Sequence, residues 1–192
     1  MKILVVTFAA LATALGFGPA IQADHAAAVP TAQDPHAPQG PGPEHAILHK
    51  RVGTWDAVVI TVDEKGVEQK SKGTMTARKL SDFHTAEDYQ GEFMGMKFTG
   101  HGMHGYCTVK KQYFTFWVDS MVPSPMSLTG SYDQKKKVQS MTGESLGMTG
   151  KFEPCRTEIR DQDDDHYTFV LFGPGQDTKE AEHLRIEYTR KK

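Results

Sequence analysis

The chain has 192 residues and carries 22 Lys and Arg against 24 Asp and Glu, a net charge of −2. So even a balance, with the basic residues spread along the chain, excludes a nucleic-acid surface. The stretch from residue 44 onward has the length of one domain.

In chain order, residues 1–23 carry Lys2, an apolar run from Ile3 to Phe17, a break at Gly18-Pro19 and the small residue Ala23. This is the pattern of a secretory signal peptide, so a secreted or periplasmic protein is expected. The apolar run is shorter than the roughly 20 residues a spanning helix needs, so no transmembrane segment is expected after signal removal. With no cysteine near the cut, a lipid anchor is not expected either. Residues 24–43 are rich in Ala, Pro and Gly, and read as a flexible linker. His25, His36, His45 and His49 are too widely spaced for a metal tract and are expected to be solvated.

The domain proper, residues 44–192, opens with Pro43 to Arg51, which has proline at a helix start, an acidic first turn and a basic last turn before Gly53. A short helix follows from that pattern, with Ile47 and Leu48 facing inward. Ten strands are then expected over residues 55–62, 73–80, 84–90, 97–106, 113–119, 126–132, 137–143, 156–161, 167–172 and 183–190. Turn residues separate them, among them Asp63 to Gly66, Val122 to Pro125 and Gly173-Pro174-Gly175. Ten short strands and no second helix predict an all-β, up-and-down antiparallel barrel of about ten strands, one end closed by the N-terminal helix.

Simple reversals alternate between the two ends of such a barrel. Trp55 begins the first strand and Arg190 ends the last, so both fall at the end where the helix arrives; a cation–π contact between them would close that end. The links after the third, fifth and seventh strands fall at the other end and carry Met94, Met96, Met121, Met126 and Met148, five of the nine methionines. Flexible, polarizable methionines suit a mouth that accepts varied apolar partners, and they also fill gaps under loops.

Residues 100–119 form the hairpin around which the barrel is built. Gly100 and Gly102 lie on one face of their strand, leaving gaps for Phe114, Phe116 or Trp117 to cover. The Gly100-x-Gly102-x-x-Gly105 spacing of a dinucleotide site continues into a strand, which excludes that site. In the fifth strand, Phe114, Phe116 and Val118 make an apolar face while Tyr113, Thr115, Trp117 and Asp119 make an amphipathic one. Either face can be the inner one; the amphipathic set would give a lumen in which Tyr113, Trp117 and Asp119 orient a ligand.

His101 and His104, three apart on a strand, point to opposite faces unless a bulge intervenes, and with Met103 they would suit copper or haem only in that case. Gly143-Glu144-Ser145-Leu146-Gly147 has the letters of a nucleophile elbow but leads into a further turn, not a helix. Asp161 and Asp163 to Asp165 read as a solvated turn. Cys107 and Cys155 form an even pair, yet the topology puts them a strand length apart, against a bridge. Asp119, Glu144 and His104 are not brought together by strand alternation, so catalysis is not expected, and no cofactor or catalytic residue is assigned.

Gly53-Thr54-Trp55, Gly100-x-Gly102-x-x-Gly105-Tyr106, Trp117-x-Asp119, Met148-Thr149-Gly150-Lys151 and Tyr188-Thr189-Arg190-Lys191 together resemble one bacterial domain-of-unknown-function family, number fifteen seventy-nine in its series. The resemblance spans nearly the whole domain and implies a lipocalin-like barrel with no assigned chemistry. Gly-x-Trp with a late arginine is similar to the floor-closing pair of lipocalins, which maps onto Trp55 and onto Arg190 or Arg185. The chain departs from the family pattern at Cys107, where aspartate is expected. The function expected is binding of a small apolar or amphipathic ligand at the methionine-bearing mouth. The rival expectations are a copper or haem module built on His101, His104 and methionines, and a ligand-free interaction domain.

Overall fold

The computed structural model describes residues 40–62, 67–147, 150–175 and 179–192. The signal peptide, nearly all of the linker, and Met148 lie outside the described residues. Helix α1 (Pro43–Lys50) starts on Pro43, whose missing N–H costs nothing at that position, and the Gly42 N–H is taken by His45 Nδ1 at 3.0 Å. Ile47 and Leu48 are buried as expected. His45 is not solvated as the spacing suggested. It is fully buried, edge-on to Phe83 and Tyr106 at ring separations of 5.3 and 5.7 Å.

Ten strands follow: β1 (Gly53–Val62), β2 (Glu68–Lys79), β3 (His84–Phe93), β4 (Met96–Cys107), β5 (Gln112–Asp119), β6 (Met126–Asp133), β7 (Val138–Leu146), β8 (Phe152–Asp161), β9 (His166–Pro174) and β10 (Glu180–Arg190). Each pairs antiparallel with its neighbour in sequence, and β1 pairs with β10 from Trp55↔Arg190 to Thr61↔Leu184, closing the barrel. Closure removes every edge, so the sheet has no unpaired ladder to protect. Glu144 to Leu146, expected beyond the end of the seventh strand, continue β7 instead, with Ser145 opposite Glu153. Among the described residues no helix is long and apolar enough to cross a membrane.

The core divides into two clusters. One gathers Trp55, Ala57, Val59, Met75, Ala77, Tyr89, Tyr167 and Tyr188 inside the barrel. The other joins Ile47 and Leu48 of the helix to Tyr113, Leu128, Met141 and Cys155. The helix is tied to the barrel by polar contacts as well. Tyr113 donates from its hydroxyl to the Glu44 carbonyl at 3.1 Å, and the Trp55 indole donates to the Arg51 carbonyl at 2.9 Å.

Arg190 completes that closed end. Its guanidinium lies 4.0 Å from the centre of the Trp55 ring and donates to the carbonyls of Lys50, Val52 and Asp164 at 2.7 to 2.9 Å. Gly53 makes room for it. Its φ is +142°, and a Cβ there would stand 2.5 Å from Arg190 Nη1. Arg185, the other arginine considered, instead pairs with Glu68 and Glu182.

Candidate functional site

Strand alternation decides which face of β5 is inside. Tyr113 and Trp117 pack with the two interior clusters, while Phe116 and Val118 are exposed on the outer surface. The inner set is therefore Tyr113, Thr115, Trp117 and Asp119, the amphipathic one. Trp117 lies flat over Gly100, where a Cβ would overlap the indole, as aromatic cover of a strand glycine requires.

Phe98, Trp117, Ile159, Phe169 and Ile186 pack against the inner cluster yet remain only partly buried. Solvent thus reaches part of the inner face of the barrel. Tyr167 and Tyr188 stack at 4.5 Å in its wall, and Tyr167 stands edge-on to Trp55 at 4.7 Å.

Polar side chains meet inside this aromatic wall. Glu87 of β3 faces His104 of β4 with Oε1 3.1 Å from Nε2, and their side chains are 23% and 14% exposed. Gly102 is the reason the pair fits: a Cβ there would stand 2.8 Å from Glu87 Cγ and 2.9 Å from His104 Nε2. Gly102 is thus covered by Glu87 and His104, not by an aromatic ring of β5. Burial alone would push the Glu87 carboxyl up, but the His104 charge and Arg51 outweigh it and hold it below the usual carboxylate range. On the far side of the ring, His104 Nδ1 is 2.8 Å from Thr115 Oγ1, whose hydroxyl donates to Met141 Sδ at 3.6 Å.

Tyr89 adds an unusual group. It is 3% exposed and its hydroxyl has no partner, lying instead against the glycines Gly73 and Gly91. Deeper in, Arg51 enters from the end of α1 and makes a two-pronged pair with Asp161 at 3.1 and 3.2 Å, while its third nitrogen reaches Gln139. Tyr132 donates to the same Asp161 carboxylate at 3.0 Å. Asp161 is therefore no part of a solvated turn; Asp163 to Asp165 alone make the bend.

The residues singled out from the sequence are distributed as follows. Met94, Met96 and Met121 stand at one end of the barrel, 74%, 51% and 40% exposed, and Met126 is half-buried among the second cluster. Asp119 is spent locally, accepting from the Trp117 indole at 3.0 Å and from the backbone N–H groups of Met121 and Val122. His101 points outward to Asp88 at 2.7 Å while His104 points inward, so no single ion can take both. Cys107 and Cys155 are free thiols. Glu87, Tyr89 and Arg51 are not singled out by the sequence as site residues, and Asp161 reads there only as part of a solvated turn. Only Gly102 of β4 hinted at Glu87, since a missing Cβ must make room for something opposite.

Comparison with known proteins yields no match among curated sequences. Among solved structures, Rv2717c from M. tuberculosis is similar with a TM-score of 0.59 at 14% identity, over 79% of this chain and 99% of that one. The S-type phycobiliprotein lyase CPES from Guillardia theta is similar with a TM-score of 0.53 at 9% identity, over 78% of this chain and 93% of that one. At such identities the likeness shows the lipocalin-like barrel fold alone. The family model described as Protein of unknown function (DUF1579) matches residues 40–190, nearly all of helix and barrel, and the chain belongs to that family.

Proposed function

We propose that the protein is an exported lipocalin-like carrier that takes a small apolar or amphipathic molecule into the barrel lumen. The observation that carries this reading is the set of inward side chains, Phe98, Trp117, Phe169 and Ile186 among them, that a closed sheet surrounds and solvent still reaches. The exposed thioethers of Met94, Met96 and Met121 support an entrance that adapts to an apolar body. Trp117 lines the path, its indole N–H already satisfied by Asp119, so that its ring face is what a ligand meets. Export is supported by the pattern of residues 1–23, and mass spectrometry of the mature N-terminus tests it.

The binding test uses Trp117 as reporter. Titration with a library of apolar and amphipathic small molecules is expected to yield ligands that quench its emission and raise the melting temperature; quenching should vanish in Trp117→Phe, since Trp55 is sealed under Arg190. Unchanged emission and melting temperature across the library would overturn the reading.

A further inference from the structure

Lysines gather at the floor end of the barrel. The turns that join β2 to β3, β4 to β5 and β6 to β7 all lie there, and neighbouring hairpin turns of a barrel stand about 10 Å apart. The β4–β5 turn carries Val109, Lys110 and Lys111, and the β6–β7 turn carries Lys135, Lys136 and Lys137, all of them exposed. Lys70, Lys79 and Lys191 pair with Glu68, Asp82 and Asp56, whereas the lysines of these two turns make no ion pair among the described residues. Asp133, which opens the second turn, is turned back to accept from the backbone N–H groups of Lys135 and Lys136 at 2.9 and 3.0 Å. Glu44 lies behind Lys111 toward the helix, and Asp163 and Asp164 stand beyond Lys137, across a cavity that the three line together. The basic arc therefore runs from Lys110 to Lys136 and ends at an acidic border.

Two of the lysines also occupy costly backbone. Lys111 and Lys137 hold φ at +52° and +55°, the left-handed region where glycine or asparagine is cheaper, and no ion pair within the protein offsets that cost. Apolar tips stand among the charges. Val109 is 89% exposed, and Leu80, beside Lys79 at the β2–β3 turn, is 47% exposed. Aliphatic tips flanked by lysines suit a boundary that is apolar just beneath a layer of negative charge.

We propose that this end of the barrel docks on an anionic lipid surface. Lys110, Lys111, Lys135 and Lys136 meet the headgroups, Val109 and Leu80 enter between them, and the acidic β8–β9 turn tilts away. The mouth then faces water, whatever the lumen holds. An acidic polypeptide would meet the lysines as well, but it has no apolar layer for the two tips.

The test is co-sedimentation of the intact mature protein with vesicles of phosphatidylcholine and with vesicles of equal parts phosphatidylcholine and phosphatidylglycerol. Pelleting is expected with the second kind alone, and it is expected to fall as salt rises. The combined variant Lys110→Gln, Lys135→Gln and Lys136→Gln is expected to lose about a hundredfold in partitioning, at about fivefold for each lysine at the surface. Lys72→Gln, Lys97→Gln and Lys151→Gln together make the same charge change in exposed lysines toward the mouth and are expected to bind as the wild type does. Val109→Ser is expected to weaken binding severalfold and leave its salt dependence unchanged. Every substituted side chain is exposed, so melting temperatures are expected to stay at the wild-type value. Equal pelleting with both vesicles, equal losses in the two combined variants, or full binding by Val109→Ser overturns the proposal. Pelleting with neither overturns it too, and retention of the wild type but not of the Lys110, Lys135 and Lys136 variant on poly-glutamate would then assign the arc to an acidic polypeptide.

Discussion

Replacing Arg190 with alanine removes a set of contacts whose size can be worked from the geometry. The cation–π contact with Trp55 at 4.0 Å contributes about 1 kcal/mol at a partly exposed site. Three carbonyls, of Lys50, Val52 and Asp164, lose a charged donor at 2.7 to 2.9 Å, about 0.5 to 1 kcal/mol each where water can partly replace it. The Asp165 contact at 3.4 Å adds almost nothing, since it is long and Asp165 is exposed. The loss is therefore about 3 kcal/mol, or about 6 to 12 °C in melting temperature for a domain of this size. Thermal melting followed by circular dichroism measures it. Arg190→Lys should recover the ring contact but not the fork, and melt between the two. An alanine variant within about 1 °C of wild type, or a lysine variant equal to it, would refute the view that this fork seals the barrel floor.

The remaining predictions concern the lumen and the thiols. Glu87 is held below the usual carboxylate range when folded, so its charge contributes stability above the unfolded value near 4.5, and that contribution is lost as pH falls through the lower folded value. Glu87→Gln is expected to flatten the acid limb of stability measured by urea melts, and a limb as steep as that of wild type would contradict the ion pair. Gly100→Ala places a methyl where the Trp117 indole lies, so it should cost about 1 to 3 kcal/mol and shift Trp117 emission; a spectrum identical to wild type would mean the ring does not cover that glycine. Cys155 is buried, with its thiol pushed up by that burial, while Cys107 is half-buried at the end of β4. A thiol reagent should label Cys107 in the native protein and Cys155 only after unfolding, and no labelling even when unfolded would reveal a bridge.

How much of the molecule was legible in the sequence depends on what each residue faces. All ten strands, the helix and the Trp55–Arg190 register follow from turn chemistry, β-branched runs and simple reversal, because those signals are local. The charged interior was not legible. Glu87 and Asp161 look like any surface acid in a polar stretch; the register sets Glu87 opposite Gly102, whose missing side chain lets it reach His104 two residues on, and Asp161 meets Arg51 only where the helix docks. Arg51 looks like the basic last turn of a helix, which it also is; that its fork enters the barrel depends on where the helix docks. Asp119 erred the other way, since an inward carboxylate suggests a ligand group until the backbone of Met121 and Val122 is seen to use it.

The strand ends that the sequence missed follow a rule that bears on the lumen itself. β2 begins at Glu68 instead of residue 73, β7 runs on to Leu146, β8 begins at Phe152 and β10 at Glu180, and every one of these added segments lies at the mouth end. Residues such as Glu68, Gln69 and Lys70 show no apolar alternation, and β2 stays exposed along that stretch on both of its faces. Alternation arises only where one face is dry. A strand that keeps its hydrogen-bonded ladder but loses its period as it nears one end is a strand whose inner face has become wet. The failure of periodicity at the mouth and its success at the floor thus have one cause: the barrel is sealed by Trp55, Arg190 and α1 at one end and admits water at the other.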